Sequence, residues 1–309
     1  MINGFLLNFA FWTRIGILSA FFLFVIPLLS QSKKSTKVNE SNFSFRLKGG
    51  DIKLSVRNET ELKEWDKYAS DKTKKILDAY ESYLGISFHQ ASSPIFKTLP
   101  SSEKDKIRLI LKDTVFLNGT RVGGYNNVSG ELGKELGIFM ELGLVPPGYP
   151  ALLLHELGHY YFTEPSWLSE GIVSYLPYLL SKRGYLKLDA DELQSVTEEW
   201  SLAETIPKND PPLSKDFHLS NPSLGPWFYS KSVRTQFILH KELGYEGYKS
   251  FLKQVASSSE ILNTEQIFKI LNQVQRKDWN KILQGWVEPG AYGVYPPTSF
   301  MKIQEIEKL

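Results

Sequence analysis

The chain has no cysteine and only five histidines among its 309 residues. The first absence excludes disulfides, zinc knuckles, thiol catalysis and a lipobox lipid anchor. Any metal site must therefore be built from His, Asp and Glu. Charge of one sign is missing too: 36 basic residues against 34 acidic ones leave a formal net charge of +2. With no basic tract beyond scattered lysines, nucleic acid is not an expected partner. Residues 1–30 hold no Lys, Asp or Glu, and Arg14 is their single charged side chain. No internal repeat is visible.

What is present is ordinary for a soluble globular protein, with 42% hydrophobic and 23% charged residues and enough chain for a sizeable core. The front end differs. Ile15 to Leu29 is almost wholly apolar and follows Arg14 and a second apolar run, Phe5 to Trp12. Two readings fit: a signal peptide cleaved near Ser30-Gln31-Ser32, or an uncleaved membrane anchor through residues 5–30. Lys33, Lys34 and Lys37 blur the charge asymmetry that would fix orientation. Either way the expected location is outside the cytoplasm: periplasmic, secreted or membrane-anchored. The absence of cysteine is compatible with export.

Residues 33–42 are polar and aperiodic and read as a linker. Phe43 to Leu47 and Ile52 to Val56 alternate around Lys48-Gly49-Gly50-Asp51, which predicts a hairpin. Helical spacing of Leu62, Trp65, Ala69, Ile76, Tyr80 and Tyr83 predicts a long helix from about Thr60 to Leu84, capped by Asn58 or Thr60 and ended by Gly85. Ile107 to Leu111 and Leu136 to Leu142 are strand candidates, with turn signals at Asn118-Gly119, Gly123-Gly124 and Asn126-Asn127 between them. Glycosylation sequons fall at Asn39, Asn42, Asn58, Asn118 and Asn127. After Pro146-Pro147-Gly148 the pattern turns helical: one helix from near Tyr149, and one from Trp167 to Ser181 that stops near Gly184. A mixed stretch with a long surface loop follows. Further helices are expected at Trp227–Leu243, Tyr245–Gln254, Glu265–Leu271 and Trp279–Glu288.

The chemistry is concentrated in His155-Glu156-Leu157-Gly158-His159. Residues four apart share a helix face, so His155 and His159 can present two imidazoles to one zinc ion, with Glu156 placed to take a proton from the attacking water. A catalytic zinc needs a third protein ligand. The metzincin continuation would demand Gly at 162 and His at 165; Phe162 and Pro165 stand there. The nearby carboxylates are Glu164 and Glu170. Glu164 lies just past the helix, too close to fold back comfortably. Glu170 lies one turn into the next helix, after the Pro165 break, and can face both histidines.

His-Glu-Leu-Gly-His followed by Trp167-Leu168-Ser169-Glu170-Gly171 resembles the gluzincin branch of clan MA zinc metallopeptidases. The similarity is to the peptidase MA-like group, related to membrane alanyl aminopeptidases. It implies His155, His159 and Glu170 as zinc ligands and Glu156 as general base. Residues 160–169 make a shorter interval than in thermolysin or the aminopeptidases. Trp227-Phe228-Tyr229-Ser230-Lys231 is similar to the aminopeptidases' Tyr-x-Lys-Gly segment, with Ser232 in place of Gly. That implies Tyr229 as the hydroxyl that steadies the oxyanion, with His218 as the runner-up by analogy with thermolysin. Two departures limit the inheritance. The Gly-Ala-Met-Glu-Asn motif that binds a free amino terminus is missing, with only a faint echo in Gly137–Glu141. Ser174 stands where the thermolysin-like enzymes carry an Asp.

The resulting expectation is an α+β fold. It has a small mixed or antiparallel sheet with an edge strand above a zinc-binding helix, and then a mainly helical C-terminal half. Residues 43–145 and 146–309 together form one catalytic unit behind 1–32 and the linker. The expected activity is zinc-dependent hydrolysis of peptide bonds in a peptide or protein substrate, with Leu136–Leu142 as the strand that pairs the substrate. The alternative is an inactive exported binding or scaffold protein on the same fold.

Overall fold

Alternating side chains and a two-residue turn at Lys48-Gly49 build an antiparallel hairpin from β1 (Asn39–Leu47) and β2 (Gly50–Asn58). Ile52, Leu54 and Val56 point into the core while their neighbours face outward, the period of a half-buried strand. The computed structural model describes residues 38–62, 64–91, 99, 103–117, 119–127, 135–142, 150–201, 210–215 and 225–297. The apolar front, the Pro146-Pro147-Gly148 break and His218 lie outside them. The linker is shorter than its composition suggests, because Asn39 to Asn42 pair with Ser55 to Asn58. The polar side chains of Asn39 and Ser41 both donate to Asp66, at 2.7 and 2.6 Å, and so hold this polar stretch to the helix behind the sheet.

That helix, α1 (Trp65–Leu84), starts five residues later than expected and ends at Gly85, in the left-handed region at φ 68°. Asn58 does not cap it directly. Its side-chain oxygen accepts from the Thr60 N–H and hydroxyl, and its amide donates to Leu62 O and Asp66. Asn58 and Asn127 are both buried, so neither sequon is accessible to a glycan in the folded protein.

Beyond α1 come β3 (Lys106–Lys112), β4 (Val115–Leu117), β5 (Thr120–Val122), β6 (Gly124–Asn127) and β7 (Gly137–Glu141). The main sheet is mixed, in the order β1-β2-β3-β7-β6, while β4 and β5 form a separate hairpin. β2, β3 and β7 run parallel; β6 returns antiparallel to β7. This corrects one expectation. Leu136–Leu142 is an inner strand flanked on both sides, and the edge belongs to β6, a four-residue strand made largely of turn-forming residues.

The C-terminal half is mainly helical: α2 (Pro150–Gly158), α3 (Ser166–Lys182), α4 (Ala190–Ser201), a 3-10 turn at Leu213–Lys215, α5 (Gly225–Ala256), α6 (Thr264–Val274) and α7 (Trp279–Leu283). α3 runs through Pro177 to Lys182 before Gly184 adopts φ 74°. α5 bends at Gly244 (φ 67°, ψ 176°), the boundary where two helices were expected; glycine tolerates this conformation without a Cβ clash. α6 opens with a full capping box between Asn263 and Gln266, which satisfies two orphan backbone donors. One hydrophobic core runs from Leu47 through the sheet, α1 to α3 and α5 to Trp286 and Tyr295. Among the described residues no helix is long and apolar enough to cross a membrane.

Candidate metal centre

α2 lies beneath the edge of the sheet and packs against both β6 and β7. A hydrogen bond ties strand to helix: the Asn126 side-chain amide donates to the Glu156 carbonyl at 2.8 Å. Gly124 allows the strand to sit this close, since a Cβ there would lie 3.0 Å from Leu152 and 2.6 Å from the Phe139 carbonyl. His155 projects from the last turn of α2, and His159 from the turn that continues it, where Tyr161 and Phe162 N–H both donate to Gly158 O. Their rings stand 5.0 Å apart at 76°.

The chain then reverses within a few residues, through a cis Glu164–Pro165 bond, and α3 returns alongside α2. Glu170 lies in its second turn and meets both histidines: Oε2 is 3.1 Å from His155 Nε2 and Oε1 is 3.7 Å from His159 Nε2. One ligand atom from each of the three residues falls within 4.8 Å of the other two, and this is the one such group among the described residues. Glu164, the other nearby carboxylate, is exposed and is not part of it.

The surroundings suit ligation. All three side chains are mostly buried, at 13, 17 and 20% exposure. Burial lowers the pKa of His159 below the usual histidine value, partly offset by the Glu170 charge, so the imidazole is neutral near pH 7, the form that binds metal. On the far side of the rings, Ser174 Oγ lies 3.2 Å from His155 Nδ1, and Ser169 Oγ and Phe162 O lie 3.1 and 3.2 Å from His159 Nδ1. Two imidazoles and one carboxylate match the His2Glu donor set of catalytic zinc and leave a fourth position open. The residues present fit the ion.

Glu156 is 4% exposed and stands next to His155 on α2. Tyr229, in the first turns of α5, has its ring centroid 6.3 Å from that of His155. The structure thus brings His155, His159 and Glu170 together, with the Tyr229 ring beside His155 and Glu156 adjoining His155 along α2. Two residues that sequence reasoning passed over, Ser169 and Asn126, belong there too. Glu141, in the faint amino-terminus motif, is committed elsewhere: it is buried, accepts from Val115 N–H at 3.0 Å and pairs with Arg121.

No protein-family model matches the chain, and no curated protein does. Solved structures do. An M1 zinc metallopeptidase from Deinococcus radiodurans, a mutant bound to a Tyr-Ser-Ala substrate, superposes with TM-score 0.58 at 14% identity, over 86% of this chain and 54% of its own. A second structure of that mutant gives 0.58 at 13% identity over 84% and 53%. The enzyme described without mutation gives 0.56 at 14% over 84% and 53%. The fold is that of the M1 zinc metallopeptidases. The chain spans about half the length of the structures it matches.

Proposed function

We propose that this chain is a zinc-dependent metallopeptidase of gluzincin type, in which His155, His159 and Glu170 hold the ion. The observation that carries the reading is the convergence of those three ligand atoms within 4.8 Å, from two helices joined by a short turn under the edge of a sheet. Zinc held there supplies a Lewis acid that polarises a carbonyl and acidifies water.

The chain's own residues account for the rest of the reaction. The Glu156 carboxylate takes the proton of the attacking water and later delivers it to the leaving amine nitrogen, which divides proton transfer into two short steps. Its burial beside the ligands keeps competing bulk water away from that exchange. The Tyr229 hydroxyl donates to the oxyanion as charge develops on the scissile carbonyl oxygen. β6 is the sheet edge among the described strands, along which an extended peptide can be held by main-chain hydrogen bonds. That the matched M1 enzyme is described with a Tyr-Ser-Ala substrate supports a peptide as the substrate class. Residues 43–309 act as one catalytic unit, exported behind residues 1–32, which are cleaved or serve as an anchor.

The test is a peptide-library cleavage profile on zinc-loaded protein beginning near Ser35. Glu156→Gln should retain stoichiometric zinc and lose at least about 100-fold in turnover. Turnover at the parental rate would refute the mechanism. A parent protein that binds zinc but cleaves no peptide would favour an inactive binding protein instead.

A further inference from the structure

We propose that Ser169 and Ser174 are positioning residues for the two histidine ligands, so that α3 delivers the third ligand and both orienting hydroxyls as one rigid unit. This inference rests on the zinc reading above. Ser169, Glu170 and Ser174 all belong to α3, and both serines are buried.

The proton count at Ser169 is decisive. Its hydroxyl donates to the Phe162 carbonyl at 2.7 Å, and a serine hydroxyl carries one proton. Towards His159 Nδ1, 3.1 Å away, Ser169 Oγ is therefore an acceptor, as is the Phe162 carbonyl at 3.2 Å. Two acceptors facing Nδ1 require that nitrogen to carry the hydrogen. Nε2 then keeps its lone pair, on the side where Glu170 stands. Ser174 occupies the corresponding place behind His155, 3.2 Å from Nδ1, while Nε2 faces Glu170.

A hydroxyl and a carboxylate do different work in this position. An orienting carboxylate fixes the ring and also makes the imidazole more basic. A hydroxyl fixes the ring without adding charge. The donor set here keeps the single negative charge of Glu170, so the outer residues contribute through geometry and tautomer.

Replacing Ser169 and Ser174 one at a time by Thr and by Val tests this. Thr and Val share a shape, so any packing cost is common to both and only the hydroxyl differs. Zinc affinity is read by competition with a chromogenic chelator, and ligand geometry by the visible spectrum of the cobalt-loaded protein. The Thr forms should stay near the parent in both readouts. The Val forms should bind zinc about 10- to 100-fold more weakly and show an altered cobalt spectrum. Val forms that match their Thr partners would overturn the proposal and leave the zinc site standing. A parent protein that takes up no zinc would remove the functional reading and this one with it. Should a branched variant fail to fold, Ser→Ala serves in its place, and parental zinc affinity in that form overturns the proposal equally.

Discussion

Lys231 shows how much one side chain can hold. It sits on α5 two residues beyond Tyr229 with a fully buried side chain, 2.5 Å from Asp210 Oδ2, and donates to the carbonyls of Pro211 and Gly285. The aromatic faces of Trp227 and Tyr292 flank the ammonium, and the Tyr292 hydroxyl also donates to Asp210. Burial lowers the lysine pKa, and Asp210 pulls the other way. Breaking such a pair leaves a buried carboxylate without its cation. Lys231→Met should therefore cost about 3–5 kcal/mol in urea unfolding, and adding Asp210→Asn should recover part of the loss. In the sequence Lys231 was legible only as part of a family-like segment. Its partners lie 20 to 54 positions away, beyond the reach of local pattern. Ser169 was hidden for a different reason: a helical serine has no distinctive sequence signature until the helix opposite it is known, whereas Ser174 was marked only by the Asp it replaces.

Between elements, the decisive contact is the crossing of α3 on α5. A Cβ at Gly171, next to Glu170, would lie 2.4 Å from the Ser232 carbonyl oxygen and 2.8 Å from Gln236 Nε2. The backbones meet there because nothing larger than hydrogen stands between them. Gly171→Ala should separate the helices at a cost of about 1–3 kcal/mol and displace Glu170, the proposed third ligand, measured as a fall in both unfolding midpoint and zinc affinity. The helix pair was readable because its signals are local: the two histidines at helical spacing, Pro165 at the break and Gly184 past the end. The edge strand was not. Gly124, Asn126 and Asn127 favour turns, and only pairing with β7, from Gly124↔Met140 to Asn127↔Gly137, makes them a strand. Tertiary pairing overrides weak local preference there.

Across the whole molecule, sheet and helices share one core, and its helical part contains a buried titratable group away from the metal site. His240 lies among Tyr175, Tyr245 and Tyr248, with Nδ1 2.7 Å from the Tyr175 hydroxyl. Burial, and then the positive charge of Arg183, bring its pKa down to about 4. An unfolded histidine titrates near 6.5, so the unfolded chain binds the proton more readily. Stability is therefore full above about pH 6.5 and declines as pH falls towards 4, by about 3 kcal/mol in total. Unfolding free energies of metal-free parent and His240→Gln, from urea titrations between pH 7 and 4, should diverge by that amount. His159, whose pKa is also lowered by burial, contributes equally to both proteins and cancels in the comparison.

The bond from Asn126 to the Glu156 carbonyl bears on how the proposed activity can change over time. It joins the backbone of the residue proposed to carry the proton to the strand proposed to receive the peptide. On the proposed function, a substitution that re-aims the strand for a new substrate also moves the residue proposed as general base. KM and kcat are then coupled traits, and new specificity is reached more readily through residues beyond β6 than through β6 itself.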